Sequence, residues 1–229
     1  MGRDDQPKHR QKARDLHRRA AVRQPYERLL IVCEGEKTEP QYLAEICQEK
    51  RLSTAHVHVQ HGVFGTEPIQ VVEYAEHLFC TGDRARAIEA RSFDRVFVVI
   101  DRDQHRTYFD ALAKLDALND RLTNDEKKAV SFHRIASVPC FELWLLLHFE
   151  NIQAPLHRRE VYERLRAHLP GYDKGQPGHW GTTKEFLGQA MQRATERIEA
   201  TNAYNGTEPY TDMGRLVQTL LTLKDLPAT

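Results

Sequence analysis

The sequence of 229 residues predicts an α/β protein, with a mainly parallel sheet flanked by helices and a helical C-terminal extension. Two unbroken apolar runs, residues 29–33 and 96–100, are typical of strands buried on both faces of a parallel sheet. Strand and helix patterns alternate over residues 26–150, which favours right-handed βαβ units. Residues 151–229 carry mostly helical patterns separated by turns.

The elements up to the second apolar run are predicted from local patterns. A helix follows the first strand, and Thr38 is predicted to cap it in a capping box with Gln41. Residues 55–60 alternate between apolar and polar side chains, which indicates a half-buried strand. Residues 67–80 carry an apolar stripe at helical spacing. The charged residues 81–95 are predicted to connect this helix to the second apolar run.

Beyond residue 100 the pattern becomes increasingly helical. Residues 107–120 are predicted to form a helix, residues 130–135 a fourth strand, and residues 140–149 a strongly apolar helix. In the C-terminal region, helices are predicted at 158–168, 182–200 and 211–223. A glycine-rich loop lies between the first two of these, and an Asn205-Gly206 turn precedes the last.

The charge distribution is uneven along the chain. Residues 1–24 hold eight basic and three acidic side chains, so this segment carries a net charge of +5 in a chain whose formal net charge is zero. A basic arm of this kind suits a polyanion such as RNA or DNA. A solvated, partly disordered tail explains the same composition, and the two interpretations stay open. We therefore treat residues 1–25 as a basic N-terminal arm.

The sequence has features of a cytoplasmic protein. It lacks an apolar window of about 18 residues, which a transmembrane helix needs. Its first residues are polar and basic, unlike a secretory signal peptide. The cysteines include no C-x-x-C pair, so we expect reduced, packed thiols. They are Cys33, Cys47, Cys80 and Cys140.

Acidic side chains follow both apolar runs. Glu34 comes directly after the first run, and Asp101 and Asp103 come directly after the second. Open α/β sheets place ligands at the carboxyl ends of their strands. Carboxylates that converge there suit a hard cation, so we expect a site for Mg²⁺, with Mn²⁺ as the alternative ion. If the chain stays extended, both aspartates point to one face.

Other interpretations of these residues remain open. Asp101-Arg102-Asp103 could form a solvated turn with a helix cap, because Asp is favoured in both places. A D-x-D after an apolar strand also occurs in haloacid-dehalogenase-type phosphatases, where the first Asp is a nucleophile. Glu36 and Glu39 are either further ligands or first-turn acids of a helix. Histidines at 56, 58 and 61 indicate zinc only weakly, since no cysteine joins them at ligand spacing.

Several basic side chains are candidates for contacts with phosphate. Lys37 and Arg102 flank the acids and, with Lys184, are predicted to bind a nucleic-acid backbone. Lys174, beside the glycine-rich loop, is predicted to supply a cation in the transition state. Each could equally be a solvated surface residue. His105 is either a general base or a loop residue.

Three segments resemble a known family. The Glu-Gly element after one strand and the D-x-D after a later strand resemble the Toprim catalytic domain of topoisomerases, primases and OLD-type nucleases. Residues 31–42 (IVCEGEKTEPQY), 137–149 (SVPCFELWLLLHF) and the tail around 209–220 are similar to RloB-like proteins. The resemblance spans about residues 29–221, and its segments are specific when taken together.

This resemblance implies a fold, an activity and partners. It implies a Toprim-like, Rossmann-like catalytic domain over residues 26–150, in which Glu34, Asp101 and Asp103 match the Mg²⁺-binding acids. It further implies a nuclease in bacterial anti-phage defence, often encoded beside an AAA/ABC-type ATPase. The expected substrate is RNA, such as tRNA, or DNA. Glu142 matches the family pattern without an assigned role.

A rival interpretation is a non-enzymatic interaction subunit. In that case the acids bind metal only structurally, and the apolar helix 140–149 docks on a partner ATPase. Phosphatase-type hydrolysis is a third interpretation. Whether the protein is a homo-oligomer is left open by the sequence.

Overall fold

The computed structural model describes residues 26–54, 56–103, 105–200 and 209–225. The predicted basic arm, residues 1–25, lies outside this part of the chain, as does the Asn205-Gly206 turn. Within the described residues, no helix is long and apolar enough to cross a membrane.

A six-stranded mixed sheet forms the centre of the described structure. Its strands are β1 (Leu29–Cys33), β2 (Val57–His61), β3 (Arg95–Asp101), β4 (Leu122–Thr123), β5 (Ala129–Val138) and β6 (Tyr210–Thr211). The order across the sheet is β2-β1-β3-β5-β4, and β6 pairs with the end of β5. The four longer strands run parallel, and the two short ones are antiparallel to β5. The predicted mainly parallel sheet is therefore confirmed.

Helices cover both faces of this sheet. They are α1 (Thr38–Glu49), α2 (Pro68–Thr81), α3 (Tyr108–Leu118), α4 (Glu142–Leu147), α5 (Arg158–His168), α6 (His179–Thr183), α7 (Leu187–Ala200) and α8 (Met213–Thr222). Helices α2 and α3 pack on one face through a cluster that includes Leu30, Val98 and Ile100. The other helices pack on the opposite face in a cluster that includes Ile31 and Val99. Alternate side chains of each central strand thus enter different cores, which explains the unbroken apolar runs.

The structure corrects the predicted cap of the first helix. Thr38 is the first helical residue rather than the cap, and Lys37 occupies the cap position without a side-chain hydrogen bond. The Thr38 hydroxyl instead accepts the backbone N–H of Gly175 at 3.0 Å. A capping box does occur at the start of α2, between Glu67 and Gln70.

Two predicted helices differ in extent. The predicted helix 140–149 is shortened to α4, which spans six residues. The predicted helix 182–200 is divided into α6, a 3₁₀ turn and α7. The hydroxyls of Thr182 and Thr183 bond to the carbonyls of Gly178 and His179, and such local bonds compete with regular helix.

Candidate functional site

Strand pairing brings Glu34 and Asp101 together. Strands β1 and β3 are parallel neighbours, with Cys33 opposite Val99. The backbone N–H of Glu34 continues this ladder to the Val99 carbonyl at 2.9 Å. The Glu34 side chain then accepts the backbone N–H of Asp101, with an Oε2–N distance of 2.9 Å. The two acids predicted from separate strands therefore meet at the carboxyl edge of the sheet.

Asp103 is placed differently from the expectation. The chain turns after β3, so Asp103 has a φ of 37° and donates its N–H to the Pro139 carbonyl at 3.1 Å. Its carboxylate forms an ion pair with Arg158 at the start of α5. The two aspartates thus do not continue one extended strand face. Asp103 nevertheless stays close enough for its charge to act on Glu34.

A layer of buried carboxylates lies behind Glu34. Asp101, Glu39 and Glu142 are 6%, 3% and 0% exposed. Burial raises the pKa of Asp101 well above its usual range, and repulsion from Glu39, Glu34 and Glu142 raises it further. Burial likewise raises the pKa of Glu39 to about 7, with a further contribution from Glu142. Buried acids that repel one another are an arrangement frequent at functional sites.

The carboxylate of Glu39 lies where a side chain at position 35 would be. A Cβ atom added to Gly35 would lie 1.9 Å from Oε2 of Glu39, well inside contact distance. Glu39 lies in the first turn of α1, and its carboxylate folds back over the backbone that follows β1. The glycine of the Glu-Gly-Glu segment therefore makes room for a buried acid.

The chemistry of the donors fits a hard divalent cation. Oε2 of Glu39 and Oε2 of Glu142 are buried without a hydrogen-bond partner. Buried polar atoms are usually paired, so unpaired carboxylate oxygens beside other acids indicate an ionic ligand. Across the residues that the structure describes, no three His, Cys, Asp or Glu side chains stand ready as a metal-ligand group. The carboxylates therefore fit a divalent cation by their donor type, their burial and their charge.

His105 bridges two acids at the same edge. Its Nε2 lies 3.2 Å from Oε1 of Glu34, and its Nδ1 lies 3.3 Å from Oε1 of Glu67. The hydroxyl of Thr107 donates to Oε2 of Glu67 at 2.8 Å, which holds that carboxylate in place. This placement shows that His105 contacts the acidic cluster, which the sequence left undecided.

Residues from the C-terminal helical region complete the site. Tyr172 donates its hydroxyl to Oε1 of Glu142 at 3.0 Å. Desolvation lowers the pKa of Lys174, but Glu142, Tyr162 and Glu39 outweigh it, so the net shift is upward. Lys174 therefore sits beside the inner carboxylates. Arg158 and Tyr172 were not predicted from the sequence, because their partners lie 55 and 30 residues away along the chain.

The other predicted phosphate-binding cations are dispersed. The stem of Lys37 lies against Gly175, where an added Cβ would be 2.9 Å from its Cδ. Arg102 donates its backbone N–H to the Ser137 carbonyl, and its charge acts on Tyr108 of α3. Lys184 pairs with Glu49, with an Nζ–Oε2 distance of 2.7 Å. Glu49 ends α1, about 16 Å along the helix from Thr38. The structure therefore does not bring Lys184 to the acids.

The cysteines follow the prediction. All four are free. Burial raises the pKa values of Cys33 and Cys140 well above their usual range, which keeps both as thiols.

The chain matches a known protein family. A family model described as RloB-like protein matches residues 29–220, which is most of the chain. No curated protein matches the chain, and neither does any solved structure.

Proposed function

The chain belongs to the RloB-like protein family, and on this premise we propose that it is a magnesium-dependent nuclease that hydrolyses phosphodiester bonds in RNA or DNA. The observation that carries the proposal is the meeting of Glu34 with the end of β3, where the buried carboxylates of Asp101, Glu39 and Glu142 repel one another. A divalent cation relieves such repulsion and stabilises charge on phosphate oxygens.

In this proposal the ion would be held by Glu34, Asp101 and Asp103. A bound ion would polarise the scissile phosphodiester. Arg158 fixes the position of the Asp103 carboxylate through their ion pair. Because Glu67 and Thr107 fix the ring of His105 against Glu34, this histidine can take or return a proton there. Lys174 supplies positive charge beside the inner acids.

The nucleic-acid substrate is supported by the charge pattern. Residues 1–24 carry a net charge of +5, and Lys37 and Arg102 flank the acids in sequence. We propose that these groups contact the phosphate backbone, which makes binding weaken steeply as salt rises. RNA, including tRNA, and DNA are both candidates.

The biological setting rests on the family resemblance. It supports a role in anti-phage defence together with an AAA/ABC-type ATPase. A free nuclease would damage its own cell, so we propose that this partner restrains or triggers cleavage. Co-purification of the protein with a co-expressed AAA/ABC-type ATPase from the same genome tests the pairing.

The helix that the rival interpretation assigns to docking is buried. All six residues of α4 are buried, from Glu142 to Leu147, between the sheet and the C-terminal helices. This helix is therefore core and presents no surface to a partner.

Incubation of the purified protein with labelled tRNA and labelled DNA tests the nuclease proposal, with and without the ATPase, first in Mg²⁺ and then in chelator. We expect cleavage in Mg²⁺ and none in chelator, and we expect Asp101→Asn to lose it. Asp120→Asn is the matched control, because Asp120 is an exposed aspartate at the opposite edge of the sheet. Equal cleavage by wild type and Asp101→Asn would reject the site. Turnover of a small phosphomonoester would favour a phosphatase.

A further inference from the structure

A cavity of about 270 Å³ lies between α5 and the segment that follows it. One face of α5 lines it through Arg159, Tyr162 and Arg166, which recur at helical spacing. Tyr172 and Lys174 form the other wall. The volume is just below the range of about 300–1,000 Å³ for pockets that hold drug-sized ligands, so it suits one ring system.

This cavity shares its walls with the candidate site. Tyr172 lines the cavity and donates its hydroxyl to Glu142. Arg159 follows Arg158, whose guanidinium pairs with Asp103. Lys174 lines the cavity and also acts on the inner acids Glu39 and Glu142. A polymer bound at the acids would therefore pass beside the cavity.

The lining combines aromatic rings with charges of both signs. The Tyr162 and Tyr172 rings are roughly parallel, with centroids 6.4 Å apart and planes at 29°. Arg159 and Arg166 line the cavity and form no ion pair with any residue that the structure describes. Arg166 donates its Nε–H to the Tyr172 carbonyl at 3.5 Å, which leaves the two terminal nitrogens of its guanidinium for an anion. Glu163 also lines the cavity, as does Asp173.

We propose that this cavity binds one unpaired nucleotide of the substrate, with its base against Tyr162 and its phosphate on Arg159 and Arg166. The inference rests on the proposed nuclease function and narrows its substrate to a single-stranded or looped segment. A base can stack on a tyrosine ring only after it has left its stack with the neighbouring bases. A carboxylate can accept a hydrogen bond from the amino group of a base. The presence of Glu163 and Asp173 in the lining therefore favours a nucleotide over a free phosphate ion as the ligand.

Binding in chelator separates this inference from cleavage. The probes are a fluorescein-labelled single-stranded RNA decamer, the DNA of the same sequence, and the corresponding duplexes, measured by anisotropy over a range of salt. We expect wild type to prefer the single strands. Tyr162→Leu should weaken their binding about tenfold. Tyr162→Phe, which keeps the ring, should bind like wild type.

The charge variants give an independent readout. Arg159→Ala/Arg166→Ala should lower the slope of log affinity against log salt by about 0.7, since the two arginines hold one phosphate and each neutralised phosphate on a single strand contributes about 0.7. Arg121→Ala is the matched control, because this exposed arginine lies near the start of β5, at the far edge of the sheet. It should lower the slope by less than half as much. Thermal melting confirms that each variant is folded.

The possible failures differ in what they reject. Folded Tyr162→Leu and arginine variants that bind single strands like wild type would overturn the cavity inference, as would an equal preference for duplex. In that case Asp101-dependent cleavage would leave the nuclease proposal intact. Conversely, loss of binding in the cavity variants without any cleavage by wild type would support a nucleotide-binding cavity and reject the nuclease proposal.

Discussion

At the scale of single residues, the candidate site works against the stability of the fold. Asp101 is 6% exposed and surrounded by other acids, and its pKa is raised first by burial and then by their charges. Its ionised form therefore costs folding free energy wherever no cation is bound. Such a cost is common where a residue serves function rather than stability.

The first prediction separates these two roles of Asp101. Asp101→Asn removes the charge but keeps the shape, so at pH 8 the metal-free variant should melt at a higher temperature than wild type. Its cleavage rate should fall at least about 100-fold, since groups that only orient metal ligands already contribute about 10–100-fold. Thermal melting in chelator and a cleavage assay in Mg²⁺ measure the two effects. A variant that is less stable and equally active would contradict this role.

The second prediction concerns the contact between Gly35 and Glu39. Gly35→Ala should destabilise the protein by about 1–3 kcal/mol, because the new methyl group overlaps the carboxylate of Glu39, which is buried and would have to shift. In a Glu39→Ala background the same change should cost clearly less, since the overlapping atoms are gone. Chemical unfolding of the four proteins gives the coupling energy. Strictly additive effects would show that the two residues do not compete for this space.

At the scale of elements, the strands were predictable and the turns after them were not. Apolar runs mark β1 and β3 because both faces of these strands are buried, and parallel pairing then brings their acidic ends together. The turn at Asp103 depends on a hydrogen bond to Pro139, and the start of α1 depends on a bond between Thr38 and Gly175. Contacts between such distant segments leave no periodic signal in the sequence.

The third prediction follows from the buried end of α4. His148 donates Nδ1–H to the Trp144 carbonyl, and its Nε2 is buried without a partner. Burial lowers its pKa from 6.5 to about 4. The unfolded chain thus binds a proton at higher pH than the folded one, and stability is lost as pH falls from about 6.5 to 4.

His148→Asn keeps a donor for the Trp144 carbonyl and cannot titrate. The free energy of unfolding of wild type should therefore fall relative to this variant by up to about 3 kcal/mol over that pH range. Urea unfolding at several pH values measures the difference. A difference that stays constant with pH would show that His148 is not buried in its neutral form.

At the scale of the whole molecule, the pH dependence of stability combines opposing contributions. The pKa of Glu39 is raised by burial from 4.5 to about 7, so the folded state keeps a proton that the unfolded chain releases. Stability from this group is present below about pH 4.5 and is lost as pH rises to about 7. Between about pH 4.5 and 6.5 the contribution of His148 to stability changes with pH in the opposite direction. The unfolding free energy of wild type should therefore vary less with pH than either contribution alone.

The fourth prediction isolates the contribution of Glu39. In chelator, Glu39→Gln should gain stability relative to wild type as pH rises from about 4.5 to 7, by up to about 3 kcal/mol. Saturating Mg²⁺ should stabilise wild type at pH 8 and reduce this difference, because a bound cation favours the ionised carboxylates. Unfolding curves with and without Mg²⁺ test both statements. A difference that shrinks as pH rises would reverse the assigned direction.

The family and the central acids of the candidate site could be predicted from the sequence, whereas the residues around those acids could not. The segments that resemble the family are spread along the chain, and the folded structure packs residues from all of them into one core. The contributions of Arg158, Tyr172 and Lys174 became visible only when the C-terminal helices were placed over that edge. A site assembled from distant segments needs the fold as well as the pattern.

The most direct test is a crystal of the protein soaked in Mn²⁺, with anomalous scattering used to locate the ion. We predict a peak between the carboxylates of Glu34 and Asp101, at ligand distances of about 2.0–2.3 Å, and the loss of that peak in Asp101→Asn. A wild-type crystal with no peak at this edge, or with an unchanged peak in the variant, would contradict the proposed metal site.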